Sequence, residues 1–356
     1  MPCNAKRFVN IMKILTQNTL LGTFINPAID ALEYVRFKPG IFKTLNMEGF
    51  ITLGVLRHIK GQTSLRDQVQ ELFHLDPVDG PPLARSTWSD AMASVHRRDI
   101  LRGIIQRLQD VASRNITDRL ENFSCLAGRS VYAADGTYQK ESCHYRKVTP
   151  RQGGKDNPKG HGLLTFFDAR LGCPVDVVVE TDTTHEINVL KSCKFQGLCE
   201  KNALFLVDRG FIDAPFWNSK KTKYGITMIS RMKASLVVVE SSEEQPVAAI
   251  EENQGVLKDE YIVLRSGGTA TWRRITYCAP NGREFIFLTN ELVLEPGMIA
   301  FLFLRRWDEE KCFDTWKNDL SASKAWGYKR VSIENQALLA IITSLLIAIF
   351  LREHAE

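Results

Sequence analysis

The sequence predicts a mixed α/β protein in which helices come first and strands follow. Three observations carry this. Apolar residues recur at helical spacing through the first 125 residues or so. From about 126, short apolar runs bounded by Gly, Pro and Asn replace them, and a stretch over 235–297 reads as β-rich. At 356 residues the chain is long enough for two domains, or one with a large insertion. With 44% hydrophobic and 24% charged residues, its composition is that of an ordinary globular protein.

In the N-terminal part the helical pattern is clearest in 50-FITLGVLRHIKG-61, 64-SLRDQVQELFHL-75 and 100-ILRGIIQRLQDVASRN-115. The turn 76-DPVDGPP-82 separates two of these, and 86-STWSDAM-92 offers Ser and Thr to cap a new helix. Two helices joined through such a turn are compatible with a helix-turn-helix DNA reader as well as with a packing domain. Residues 1–125 are therefore expected to form a helical domain that binds DNA.

Strands are expected at 129–139, 163–172, 174–182, 203–211 and 225–233, with Gly172 and Pro174 marking one turn and a helix at 185–193. Further strands fit 236–240, 261–268, 271–279 and 284–290 within the β-rich insertion. That insertion holds ten acids against five bases, so the chain's surplus of positive charge lies outside it. A long helix is expected over 299–320, followed by an apolar one at 337–351. The latter has fifteen residues, short of the roughly 20 a membrane span needs, and reads as a buried core helix.

The net charge of +5 permits a polyanionic partner without requiring one. The eight cysteines form no CxxC pair, and with no leader pattern at Met1–Ala5 they read as reduced intracellular thiols. No His/Cys spacing supports zinc, so His161 and His185 read as structural. Lys140, Arg146, Lys147, Arg151, Lys155 and Lys159 form a basic tract, either a solvated loop or a track for a DNA backbone. Trp307 and Trp316 read as helix packing, whereas Trp272 could stack on a flipped base.

Two acids stand at the ends of apolar strand runs. Asp135 follows Val131–Ala134 and precedes Gly136; Asp208 follows Leu204–Val207 and precedes Arg209. A carboxylate just past a buried strand needs a cation, a donor or a metal. A third candidate lies on the charged helix 305-RRWDEEKCFDTWKNDL-320. At about 100° per residue, Phe303, Arg306, Glu310 and Lys317 share an arc of roughly 60°, while Glu309 points away. Asp314, one turn on, stays a rival to Glu310.

The phrases ADGT around Asp135, VDRGF around Asp208 and F-x2-R-x3-E-x6-K over 303–317 resemble the DDE transposases of bacterial insertion-sequence elements. The nearest pattern is that of insertion-sequence family four, Y-x2-R-x3-E-x6-K, from which Phe303 departs where Tyr is usual. The resemblance implies an RNase H-like core built from 126–234 and 298–356, interrupted by the insertion. It implies a carboxylate triad of Asp135, Asp208 and Glu310 holding Mg²⁺ or Mn²⁺, two ions in all. Arg306, Lys317, Arg209 and Phe303 would then touch DNA, Arg209 alternatively neutralising its neighbouring acids. The expected partners are double-stranded DNA, both terminal inverted repeats and target, and a second copy of the chain on paired ends. The location would be a bacterial cytoplasm, with no membrane association. A nuclease of the same fold and a transposase-derived DNA-binding regulator are the competing readings.

Overall fold

A computed structural model describes residues 20–37, 42, 44–60, 84–140, 160–180, 185–306, 320 and 325–354. Elements are numbered below among these residues. The helices α1 (Leu20–Leu32), α2 (Met47–Lys60), α3 (Arg85–Met92) and α4 (Val95–Asn115) precede the strands. In α4 the apolar stripe Ile100, Leu101, Ile104, Ile105, Leu108 and Ala112 is buried, and the Ser94 hydroxyl caps the start by accepting from Arg97 N. The expected helix at 64–75 lies outside the described residues.

Strands β1 (Val131–Lys140), β2 (Gly160–Asp168) and β3 (Cys173–Glu180) form an antiparallel meander. A crossover through α5 (Glu186–Ser192) leads to β4 (Leu204–Val207), parallel to β1. Helix α6 (Ala214–Tyr224) then returns the chain to β5 (Thr227–Arg231), parallel to β4. Helix α6 starts at Asp213, whose carboxylate accepts from Phe216 N, and stops at Gly225, whose φ of 72° closes the helix. The strands β6 (Val238–Glu244), β7 (Val256–Leu264), β8 (Thr271–Cys278) and β9 (Glu284–Thr289) make an antiparallel run. Strand β9 pairs with β5, so these four strands continue the main sheet in the order β3-β2-β1-β4-β5-β9-β8-β7-β6. The chain closes with α7 (Pro296–Arg305) and α8 (Arg330–Glu353).

Alternation along the strands sorts the core into layers. Ala134, Leu164, Phe166, Phe205, Val207 and Met228 face α5 and α6. Val131, Ala133, Leu204, Leu206, Ile229 and Phe287 face the other way, under α7. On that second side Leu163, Val177 and Val179 meet α8 and the N-terminal helices. Helix α8 is long and apolar enough to cross a membrane by composition, yet most of it is buried in this core. Inside it Asn335 Nδ2 donates to Met92 O (2.8 Å) and Ser94 O (3.1 Å), tying α8 to the end of α3 and the start of α4.

The helical region is bonded to the sheet as well as packed on it. From α4, Gln109 Nε2 donates to Val175 O and Arg102 to Val177 O and Asp176. At the other side of α8, the buried His58 faces two carbonyls, Leu320 O at 2.7 Å and Gln336 O at 3.1 Å. Trp326 lies over the His58 ring, 4.4 Å between centroids.

Candidate active site

Strand register brings the two sequence-predicted aspartates together. Ala134 pairs with Val207 in the parallel β1–β4 ladder, so Asp135 and Asp208 follow on adjacent strand ends. Counting by two from Ala133 and Leu206, both side chains lie on the α7 face. Extending the parallel pairing of Leu206 with Ile229 sets Arg231 beside Asp208 on the same face. The crevice beyond the carboxyl ends of parallel strands, where the strand order reverses as it does between β1 and β4, is a usual ligand position in open α/β sheets.

Helix α7 delivers the next group. Its packing residues Met298, Ile299, Leu302 and Phe303 are buried against the sheet, which fixes the residue at its end. That residue, Arg306, donates from Nη1 to Asp135 Oδ2 at 2.9 Å, with side-chain exposures of 6% and 20% for Arg306 and Asp135. The other oxygen, Asp135 Oδ1, accepts from Gly136 N at 2.8 Å. Phe303 is only 2% exposed, with its ring 5.2 Å from Phe287 and the Arg306 guanidinium 5.5 Å above it. It therefore presents no surface to DNA in this structure and instead packs beneath Arg306.

Asp208 is half-buried; its Oδ1 is fully buried and has no hydrogen-bond donor among the described atoms. Arg231 Nε is likewise buried and without an acceptor among them. Burial pushes the Arg231 pKa below its ordinary value, and Arg209, Arg283 and Arg306 push it the same way, against the pull of Asp208. An arginine keeps its proton even so. Among the described residues, Arg209, Arg283 and Arg306 thus act on Arg231 beside Asp208, a local gathering of guanidiniums that favours an anionic ligand. Arg209 is exposed at the start of a short 3₁₀ turn, Arg209–Phe211, directly after Asp208.

Sequence reasoning missed Arg231 and Arg283. The first closes the buried run of β5 as Asp208 closes that of β4, a parallel that could have drawn notice. The second sits in the β8–β9 hairpin, its guanidinium 5.0 Å from the Phe285 ring. Trp272, expected as a possible base-stacking surface, is fully buried against Trp217 at 5.5 Å and serves the core. His161 is also fully buried. Glu310, Lys317, Glu309, Asp314, Trp307, Trp316 and the basic residues from Arg146 to Lys159 lie outside the described residues.

Two carboxylates on neighbouring parallel strands, set among arginines, define a centre suited to a hard cation and a phosphate-like anion. Residues 127–346 match the model of the transposase DDE domain, which is more than half of the chain. The chain belongs to that family, whose members cut and transfer DNA. No curated protein matches it. Among solved structures, a cryo-electron-microscopy piggyBac transposase synaptic complex with hairpin DNA is similar, with a TM-score of 0.43 and 11% identity. That match covers 98% of this chain and 79% of the other.

DDE transposases generally use divalent metal ions, and the described residues fit one. The donors are carboxylate oxygens, as Mg²⁺ and Mn²⁺ prefer, and the orphaned Asp208 Oδ1 is a buried acceptor awaiting a cation or a donor. Among the described residues no three His, Cys, Asp or Glu side chains converge as a complete metal site.

Proposed function

We propose that the chain is a transposase of the insertion-sequence family-four type. It would cut the terminal inverted repeats of its element and join them to target DNA. The observation that carries this is the pairing of two orphaned groups at adjacent strand ends. Asp208 Oδ1 accepts no hydrogen bond and Arg231 Nε donates none, among the described atoms. A metal ion on the first and a phosphate oxygen on the second would resolve both.

In this reading Asp135, Asp208 and Glu310 would hold two Mg²⁺ or Mn²⁺ ions. Such ions, when bound, supply acidification of the attacking hydroxyl and charge neutralisation at the leaving oxygen. Water, for cleavage, or a DNA 3′-hydroxyl, for joining, forms a new P–O bond while the bond to the leaving oxygen breaks. The proton passes to solvent and the leaving oxygen keeps the electron pair. Arg306 would give up Asp135 Oδ2 and turn to the phosphate, with Arg209, Arg231 and Lys317 holding the strand on either side.

The strand order β3-β2-β1-β4-β5, antiparallel then parallel, supports an RNase H-like core over 126–234 and 298–356, with the insertion at 235–297. Residues 1–125 are assigned to DNA binding, two copies to the paired ends, and the working location to the bacterial nucleoid. The test uses the purified full chain, Mg²⁺, and DNA carrying the inverted repeats that flank the gene. Cleavage and joining, both lost with Asp135→Asn or Asp208→Asn, are expected. Cleavage without joining would indicate the nuclease reading, and binding without either would indicate a regulator.

A further inference from the structure

Strand β2 sets a hydroxyl beside the first aspartate. In the β1–β2 ladder Asp135 is paired with Thr165. Directly opposed residues of an antiparallel pair point to one face, their Cβ atoms about 4.5–5.5 Å apart. Asp135 therefore has Thr165 on its β2 flank and Asp208 on its β4 flank. Thr165 is 1% exposed, and its Oγ1 is buried with no hydrogen bond among the described atoms. The strand residues around it on that face, Leu163, Phe167, Val177 and Val179, are all apolar and buried.

Strand formation does not account for the hydroxyl. Valine has the same branched shape, suits a strand as well, and carries no polar atom to desolvate. A buried hydroxyl that bonds nothing lowers stability, so its place in an apolar row calls for a cause. In the state described, Asp135 has a donor on each oxygen, Gly136 N on Oδ1 and Arg306 Nη1 on Oδ2. A cation bound by Asp135 and Asp208 repels the Arg306 guanidinium, and the carboxylate then loses that donor. Thr165 stands on the flank away from Asp208, where a donor can hold the carboxylate without competing for the cation. Ligating carboxylates are usually held by such a hydrogen bond.

We propose that Thr165 is a positioning residue of the centre, its hydroxyl donating to the Asp135 carboxylate when that carboxylate binds a divalent cation. This rests on the reading of Asp135 and Asp208 as cation ligands. The test is Mn²⁺ affinity of the full chain, read by electron paramagnetic resonance without DNA, together with Tm in EDTA. Thr165→Val keeps the shape and removes the hydroxyl, Thr165→Ser keeps the hydroxyl, and Thr165→Ala is a second variant without it. Circular dichroism establishes that each is folded. Thr165→Val and Thr165→Ala are expected to weaken Mn²⁺ by about tenfold, as changes behind a metal ligand typically do, and Thr165→Ser to stay near wild type. In EDTA the Tm of Thr165→Val should equal or exceed that of the wild type, so stability and metal affinity move apart. A hydroxyl that only fills the core would leave Mn²⁺ affinity unmoved. A loss under about threefold in the folded variants, while Asp135→Asn abolishes binding, would overturn the role of Thr165 alone. A lower Tm for Thr165→Val in EDTA would overturn it too, by showing the hydroxyl engaged before any metal enters. If Asp135→Asn and Asp208→Asn also leave Mn²⁺ affinity unchanged, the reading of the centre itself fails.

Discussion

Replacing Arg306 by Met should make the fold depend on divalent cations more strongly than the wild type does. The guanidinium contacts Asp135 Oδ2 at 2.9 Å, and both side chains are largely buried. Charge centres about 4 Å apart attract by about 4 kcal/mol at an effective dielectric near 20. Desolvation of the pair offsets part of that, leaving roughly 2 kcal/mol to be lost on substitution. For 356 residues, at about 2.1 cal/mol/K of unfolding entropy each, this is a fall of about 3 °C in Tm. A cation entering the wild type must displace Arg306, whereas in Arg306→Met it meets an open carboxylate. Mg²⁺ at ten times its Kd returns about 1.4 kcal/mol, or about 2 °C. Thermal unfolding in EDTA and in Mg²⁺ measures both quantities. Equal Tm values for the two proteins in EDTA would refute the inferred pair energy. An equal Mg²⁺ increment in both would refute competition between guanidinium and metal for one oxygen.

Phe303→Ala should cost about 3–5 kcal/mol in urea unfolding, because it empties a core site, while Phe303→Leu should leave DNA affinity within about twofold. Trp272→Ala should likewise appear as lost stability in denaturant titration, since that ring packs on Trp217 in the core. Arg231→Gln should lower DNA cleavage about a hundredfold with a small change in Tm, if as proposed its guanidinium holds a phosphate rather than packs the core. His58 is held by burial at a pKa of about 4, below its ordinary 6.5, so the unfolded chain binds its proton first. Stability should therefore fall by up to about 3 kcal/mol as pH drops from 6.5 to 4, and His58→Asn should flatten that slope in urea midpoints.

The strand-end aspartates were legible because local pattern suffices for them: a continuous apolar run ending in an acid marks both Asp135 and Asp208. Strands β1 to β9 each fall within or beside an expected run, for the same reason. Helix α8 also declared itself, its unbroken Ile and Leu content matching its burial. Arg231 was not legible, since its relation to Asp208 is set by the β4–β5 pairing and leaves no mark on nearby residues. Phe303, expected as a DNA contact, and Trp272, offered as a possible stacking surface, are both buried in this structure. An aromatic beside charged residues suggested a DNA surface, but burial depends on what packs above it, and Phe287 and Trp217 are distant in sequence.

The bonds from Gln109 and Arg102 to β3 have a bearing on modularity. Strand β3 is the outermost on its side of the sheet, and an open edge invites pairing with another chain. Side chains of α4 occupy two of its carbonyls, and the same helices cover the apolar flank of α8. The stretch that matches the transposase domain, 127–346, contains β3 and most of α8 but none of α1 to α4. Excised alone it would carry a bare edge and an uncovered apolar helix, so it would aggregate rather than fold. The helical region is a lid on the sheet's margin, and insertions or fusions that separate the two halves should fail where tags at either terminus succeed.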